Sequence, residues 1–135
     1  MIFKKKKIKT YKQLNSQATY KEHFSNLVFI SKIIKDLEYF VFFGTLLGLV
    51  REKNIIKNDD DIDIYINIKE KNELIKILNK NSVIADLNLS VNKTKYFLQA
   101  YRVVNNKNAV IDFYFYESDF DNSYIIEKWN FEGMP

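Results

Sequence analysis

Cysteine is absent from the 135 residues, which excludes a disulfide framework, a thiolate metal site and a cysteine nucleophile. Proline occurs once and glycine three times, and no Pro/Gly/Ser-rich linker divides the chain. Its length suits one domain with a real core and is too short for two. No run approaches the roughly 18 apolar residues of a membrane span. The lysine-rich N-terminus lacks the apolar stretch of a signal peptide. These absences fit a cytoplasmic protein.

What is present is ordinary in bulk, with 47% hydrophobic and 28% charged residues, and the net charge is +4. Much of that charge comes from "KKKKIK" at 4–9. Residues 1–15 therefore read as a basic, flexible tail and 16–135 as the domain. The tail is either a solvated terminus or a means of peripheral contact with an anionic membrane at its inner face, through Lys4–Lys9. The remainder is close to neutral, which argues against nucleic acid as a partner.

"TYKE" at Thr19–Glu22 has the form of a capping box. Beyond it Phe24, Leu27, Val28, Ile33, Ile34 and Leu37 recur at helical spacing, predicting an amphipathic helix that ends near Asp36. His23, the single histidine, falls on the polar side of that helix and is expected at the surface. "EYFVFF" (38–43) reads as a buried strand stopping at Gly44, and "TLLGLVRE" (45–52) as a short helix. "DIDIYI" (61–66) alternates strictly, with Asp61, Asp63 and Tyr65 on one face and three isoleucines on the other. A helix is expected over 69–80, then strands over 95–104 and 109–116 separated by the turn-like "NNKN". In the second of these, Val110, Asp112, Tyr114 and Tyr116 share a face. Helices and strands mixed around one small sheet give an α/β or α+β domain.

Four aspartates lie within five positions, Asp59, Asp60, Asp61 and Asp63. Asp61 and Asp63 emerge on the same strand face, about 6.6 Å apart along the chain. Hard divalent cations such as Mg²⁺ prefer oxygen ligands, commonly one or two carboxylates plus substrate phosphates. Asp112 is costly to bury among Ile, Phe and Tyr unless it is paired or coordinated. If its strand neighbours 61–66, it faces the same ion. Gly44 and Thr45, at a strand-to-helix turn, allow close backbone approach and offer a helix N-terminus to phosphate. This layout suits metal-assisted phosphoryl or nucleotidyl transfer, with Mg²⁺ or Mn²⁺ on the phosphates and a carboxylate orienting or deprotonating the acceptor hydroxyl. An EF-hand is excluded, because Ile64 and Tyr65 stand where glycine is required.

The run "GTLLGLVREKNIIKNDDDIDI" resembles the signature of the LicD family, bacterial phosphocholine transferases related to the fukutin-type proteins, within the nucleotidyltransferase (polymerase-beta-like) superfamily. It matches without insertion or deletion, with Arg51 at the family's arginine position. The superfamily pattern falls on Gly44, Thr45, Asp61 and Asp63, and the later aspartate on Asp112. The resemblance implies a nucleotidyltransferase fold and metal ligation by Asp61, Asp63 and Asp112. It also implies transfer of a phospho-substituent, such as phosphocholine from a CDP-choline-like donor, to a glycan acceptor of lipopolysaccharide or teichoic acid. Two departures stand out. Lys57 and Asn58 replace a usual Pro-Trp pair, and "FEGMP" (131–135) resembles the start of a further family segment, so the domain is expected to be C-terminally short.

Each site residue has a plainer reading. Thr45 serves as a helix N-cap and Gly48 as a packing position. Arg51 either clamps a phosphate or pairs with Asp59 and Asp60. Asp60, with Asp59, contacts a cationic substrate head, supports the ligating acids or is simply solvated. Tyr114, Tyr116 and Trp129 belong to the core or stack on a base or a trimethylammonium group. Two other functions compete: a sugar-nucleotide glycosyltransferase, which uses D-x-D without needing Gly44–Thr45 or Asp112, and an inert binding module.

Overall fold

The computed structural model describes residues 18–41, 61–85, 92, 94–118 and 125–127. The expected helix at 45–52, the tail at 1–15 and the "FEGMP" segment lie outside them. Helix α1 (Tyr20–Ile33) is followed by strands β1 (Tyr39–Val41) and β2 (Asp61–Asn67). A 3-10 turn (Ile68–Glu70) leads into helix α2 (Lys71–Lys80), and β3 (Phe97–Val104), β4 (Lys107–Ser118) and β5 (Ile125–Glu127) complete the order. Strands β1-β2-β4-β3 form a mixed sheet, with β5 pairing the end of β4. β2 and β4 are parallel, and the other pairs are antiparallel. This is the small α+β architecture expected.

The period-two patterns of β2 and β4 sort the sheet into two unlike faces. Ile62, Ile64, Ile66, Ile111, Phe113 and Phe115 share one face, and both helices pack against it through Leu27, Ile30, Ile34, Leu74 and Leu78. Residues opposite each other point to the same side, so the register puts Asp63, Asp112 and Gln99 together on the other face. Tyr65, Tyr114 and Phe97 line up beside them, with Phe40 paired to Tyr65.

Local chemistry explains the element ends. The Glu22 carboxylate accepts the Thr19 N–H and the Thr19 hydroxyl, both at 2.7 Å, so the capping box forms as the sequence indicates. Asn67 Oδ1 accepts the Lys69 N–H at 3.1 Å, starting the 3-10 turn before α2. Asn105 and Asn106 both have positive φ, 50° and 63°. They make the two-residue β3–β4 hairpin that right-twisted strands favour, with asparagines tolerating the left-handed region.

Helix α1 departs from expectation. It ends at Ile33 and a turn follows. Phe24 and Val28, expected on the core stripe, are 40% and 38% exposed, whereas His23, expected at the surface, is fully buried. The buried line is His23, Asn26, Leu27, Ile30 and Ile34. Its first turns are polar because they meet the backbone and charged side chains of the β3–β4 hairpin. Asn26 Nδ2 donates to Ala109 O at 3.2 Å, and Arg102 Nη1 lies 3.5 Å from Asn26 Oδ1. The Arg102 guanidinium also stacks on Phe29, 3.8 Å from its ring centre. An apolar-only helical wheel cannot detect a buried polar seam of this kind.

Candidate active site

Asp63 and Asp112 are the centre of the acid face. They are directly opposite in the parallel register of β2 and β4, which sets their backbones about 4.8 Å apart. Both are buried, at 8% and 3% exposure. The adjacency expected if these strands were neighbours is therefore present. Asp61 lies two residues earlier on the same strand face, opposite Val110; its backbone alone is described. Among the described residues, no group of three or more acidic or histidine side chains is assembled. Asp60, Gly44, Thr45 and Arg51 lie outside the described residues, as do Asp59, Gly48 and Trp129. Val41 pairs with Ile64, so the chain leaves β1 beside the acid-bearing end of β2, three residues before Gly44.

A residue the sequence did not flag completes the described part of this site. Gln99 is 1% exposed and stands opposite Asp112 on β3. Its Nε2 donates to Asp112 Oδ1 at 2.7 Å. Asn92, also buried, bridges both peptide groups of Gln99. Its Nδ2 donates to Gln99 O at 2.8 Å, and its Oδ1 accepts the Gln99 N–H at 2.5 Å. The outer edge of β3 is further held by Ile84, which exchanges both backbone hydrogen bonds with Tyr101. A polar residue among apolar neighbours in "KYFLQAYRVV" is the one signal that could have found Gln99.

Aromatic rings line the face next to the acids. Tyr65 and Tyr114 lie 5.3 Å apart, Phe97 meets Tyr114 edge-on at 5.1 Å, and Phe40 contacts both Tyr65 and Tyr116. Tyr116 is a core residue with a structural partner: its hydroxyl donates to Glu38 Oε2 at 2.5 Å. Glu38 also accepts from Asn67 Nδ2 at 3.2 Å, and Lys69 Nζ lies 3.6 Å from its Oε1. These contacts, led by the Tyr116 hydrogen bond, hold the Glu38 carboxyl below the usual glutamate range. Burial, then the same hydrogen bond, pushes the Tyr116 phenol well above its ordinary value.

The described residues form a small α+β domain whose mixed sheet carries acids on neighbouring strands of one face and its helices on the other. The model of the LicD/FKTN/FKRP nucleotidyltransferase domain matches residues 36–133, more than half of the chain. The chain belongs to this family, whose members are transferases. No curated protein and no solved structure matches it. No helix among the described residues is long and apolar enough to cross a membrane.

Proposed function

We propose that this protein is a metal-dependent transferase that moves a phospho-substituent, such as phosphocholine, from a CDP-choline-like donor to a cell-surface glycan hydroxyl. The observation that carries the reading is the register that sets Asp63 beside Asp112. Two buried carboxylates this close repel one another, and a cation offsets that repulsion. The donor set is all oxygen, which suits Mg²⁺ or Mn²⁺ and not a soft metal. Asp61, Asp63 and Asp112 would hold the ion, which when bound neutralises charge on the donor phosphates. Asp112, oriented by Gln99, is also suited to accept the proton of the acceptor hydroxyl. Gly44 and Thr45 would meet the phosphates, with Arg51 and Asp60 as further substrate contacts. A glycosyltransferase using D-x-D has no need of an acid aligned with Asp63 on a second strand. The protein would act in the cytoplasm, with the Lys4–Lys9 tail against the inner membrane surface.

The test is a thermal-shift titration with Mg²⁺ and Mn²⁺, alone and with CDP-choline, CTP or a UDP-sugar. It compares the wild type with the Asp61→Ala/Asp63→Ala double variant. Ligands that bind only the folded state raise its melting temperature. A metal-dependent nucleotide shift that disappears in the variant supports the reading, and the best nucleotide indicates the donor. A folded wild type indifferent to every pairing overturns it.

A further inference from the structure

The acid face contains a polar chain that starts at the sheet edge and ends on a carboxylate. Asn92 uses both ends of its side-chain amide on the backbone of Gln99, occupying the N–H and C=O that face away from β4. A side-chain carboxamide has the donor and acceptor of a peptide group, so Asn92 stands where one residue of a further strand would pair. On the inner side, Gln99 lies opposite Asp112 in the β3–β4 ladder. Gln99 and Asp112 are thus a non-hydrogen-bonded pair of the ladder, in which side chains come close; the Gln99 backbone is held from the outer side by Asn92, and its side chain has one face of the sheet available. On that face its Nε2 meets Asp112 Oδ1. Gln99 is 1% exposed and Asn92 7%, so water does not compete freely for these bonds. A buried amide with only apolar neighbours costs free energy. Here the cost is offset by a bond to an acid of the candidate site.

We propose that Gln99 is a positioning residue for the Asp63–Asp112 acid pair: its amide holds Oδ1 of Asp112 and thereby sets how that carboxylate presents itself to a divalent cation, with Asn92 locking Gln99 in place. This rests on the metal-dependent reading above. Hydrogen bonds to metal-ligating carboxylates orient them, and losing one typically costs about 10–100-fold in metal affinity.

The experiment is Mn²⁺ binding followed by the electron paramagnetic resonance of the free ion, on wild type, Gln99→Met, Gln99→Asn and Asp63→Asn. Methionine keeps the length and removes the donor, and asparagine keeps the amide but is one methylene too short to reach. Both Gln99 variants should bind Mn²⁺ about tenfold more weakly while retaining wild-type circular dichroism. Wild-type affinity in either folded variant overturns the positioning role and leaves the metal reading intact. Wild-type protein that binds no Mn²⁺, or binds it as well after Asp63→Asn, overturns both together. Should the variants fail to fold, the wild-type protein decides. Its Gln99 side-chain amide signals in nitrogen-15 spectra should shift as Mg²⁺ fills the site, and signals that stay fixed at saturating Mg²⁺ overturn the proposal.

Discussion

Asp63 and Asp112 face each other across the one parallel strand pair in the described sheet, and both are buried. Nothing about either strand alone requires this. The alternation of each puts its aspartate on a particular face, and the parallel register then brings the two carboxylates to the same level.

The first prediction concerns the cost of that arrangement. Replacing Asp63 by Asn removes one of two like charges about 4.8 Å apart at the backbone. The metal-free protein should gain about 1 kcal/mol, a rise of roughly 3–5 °C in melting temperature. The same variant should lose stabilisation by Mg²⁺ and, with the ion, its transfer activity. Melting curves with and without Mg²⁺ check both signs at once; a variant destabilised without metal and still stabilised by it contradicts the prediction.

Glu38 and Tyr116 give a pH dependence. The Glu38 carboxyl is depressed in the folded state, so its stabilisation is present above the ordinary glutamate range and is lost as pH falls through the lowered value. The Tyr116 phenol is raised, so its contribution is intact below the ordinary tyrosine range and is lost as pH climbs above it. Tyr116→Phe should cost about 1 kcal/mol near neutrality, toward the low end for a bond to a charged group because Glu38 is half exposed. It should also move the onset of acid unfolding to higher pH. Urea midpoints across the acid range measure this, and an unchanged acid onset would rule out the Tyr116 bond as the leading cause.

At the β3–β4 hairpin the two asparagines hold positive φ. Asn106→Gly should leave stability unchanged or raise it by about 0.5 kcal/mol, since glycine adopts this conformation without steric cost. Asn106→Val should lower it by about 1–2 kcal/mol. Chemical denaturation of the pair tests the turn, and equal effects of Gly and Val would refute it.

Helix α1 offers a direct contrast. Ile30 is fully buried and Phe24 is 40% exposed. Ile30→Ala should cost about 2–5 kcal/mol, and Phe24→Ala under about 1 kcal/mol. Comparing the two denaturation midpoints tests how the helix is turned. A larger loss at Phe24 would restore the orientation that its apolar spacing alone implies.

The two orientations differ because hydrophobic spacing reads only one kind of burial. Leu27 and Ile34 lie on both the expected and the observed core line, whereas His23 and Asn26 are buried polar residues, Asn26 held by polar neighbours. Those neighbours are the Ala109 carbonyl and Arg102, which come from a hairpin over 70 residues downstream. The capping box at Thr19–Glu22, by contrast, spans four residues and was legible in full. The strands at 61–66, 95–104 and 109–116 were legible to within two residues at each end. The 3-10 turn over Ile68–Glu70 and strand β5 were not, because one rests on a single Asn67 cap and the other on pairing with the far end of β4.

By itself the sequence determined what short-range geometry controls. Period-two alternation gave β2 and β4 their apolar and acid faces, the paired asparagines made the hairpin, and the run from Gly44 to Asp63 carried the family signature. Only the tertiary structure decided that β2 lies beside β4 in parallel, that Asp63 and Asp112 share a level, and that Gln99 and Asn92 stand behind Asp112. Strand neighbours and register are chosen by burial summed over the whole sheet, between segments separated by more than 40 residues. No local spacing encodes that choice.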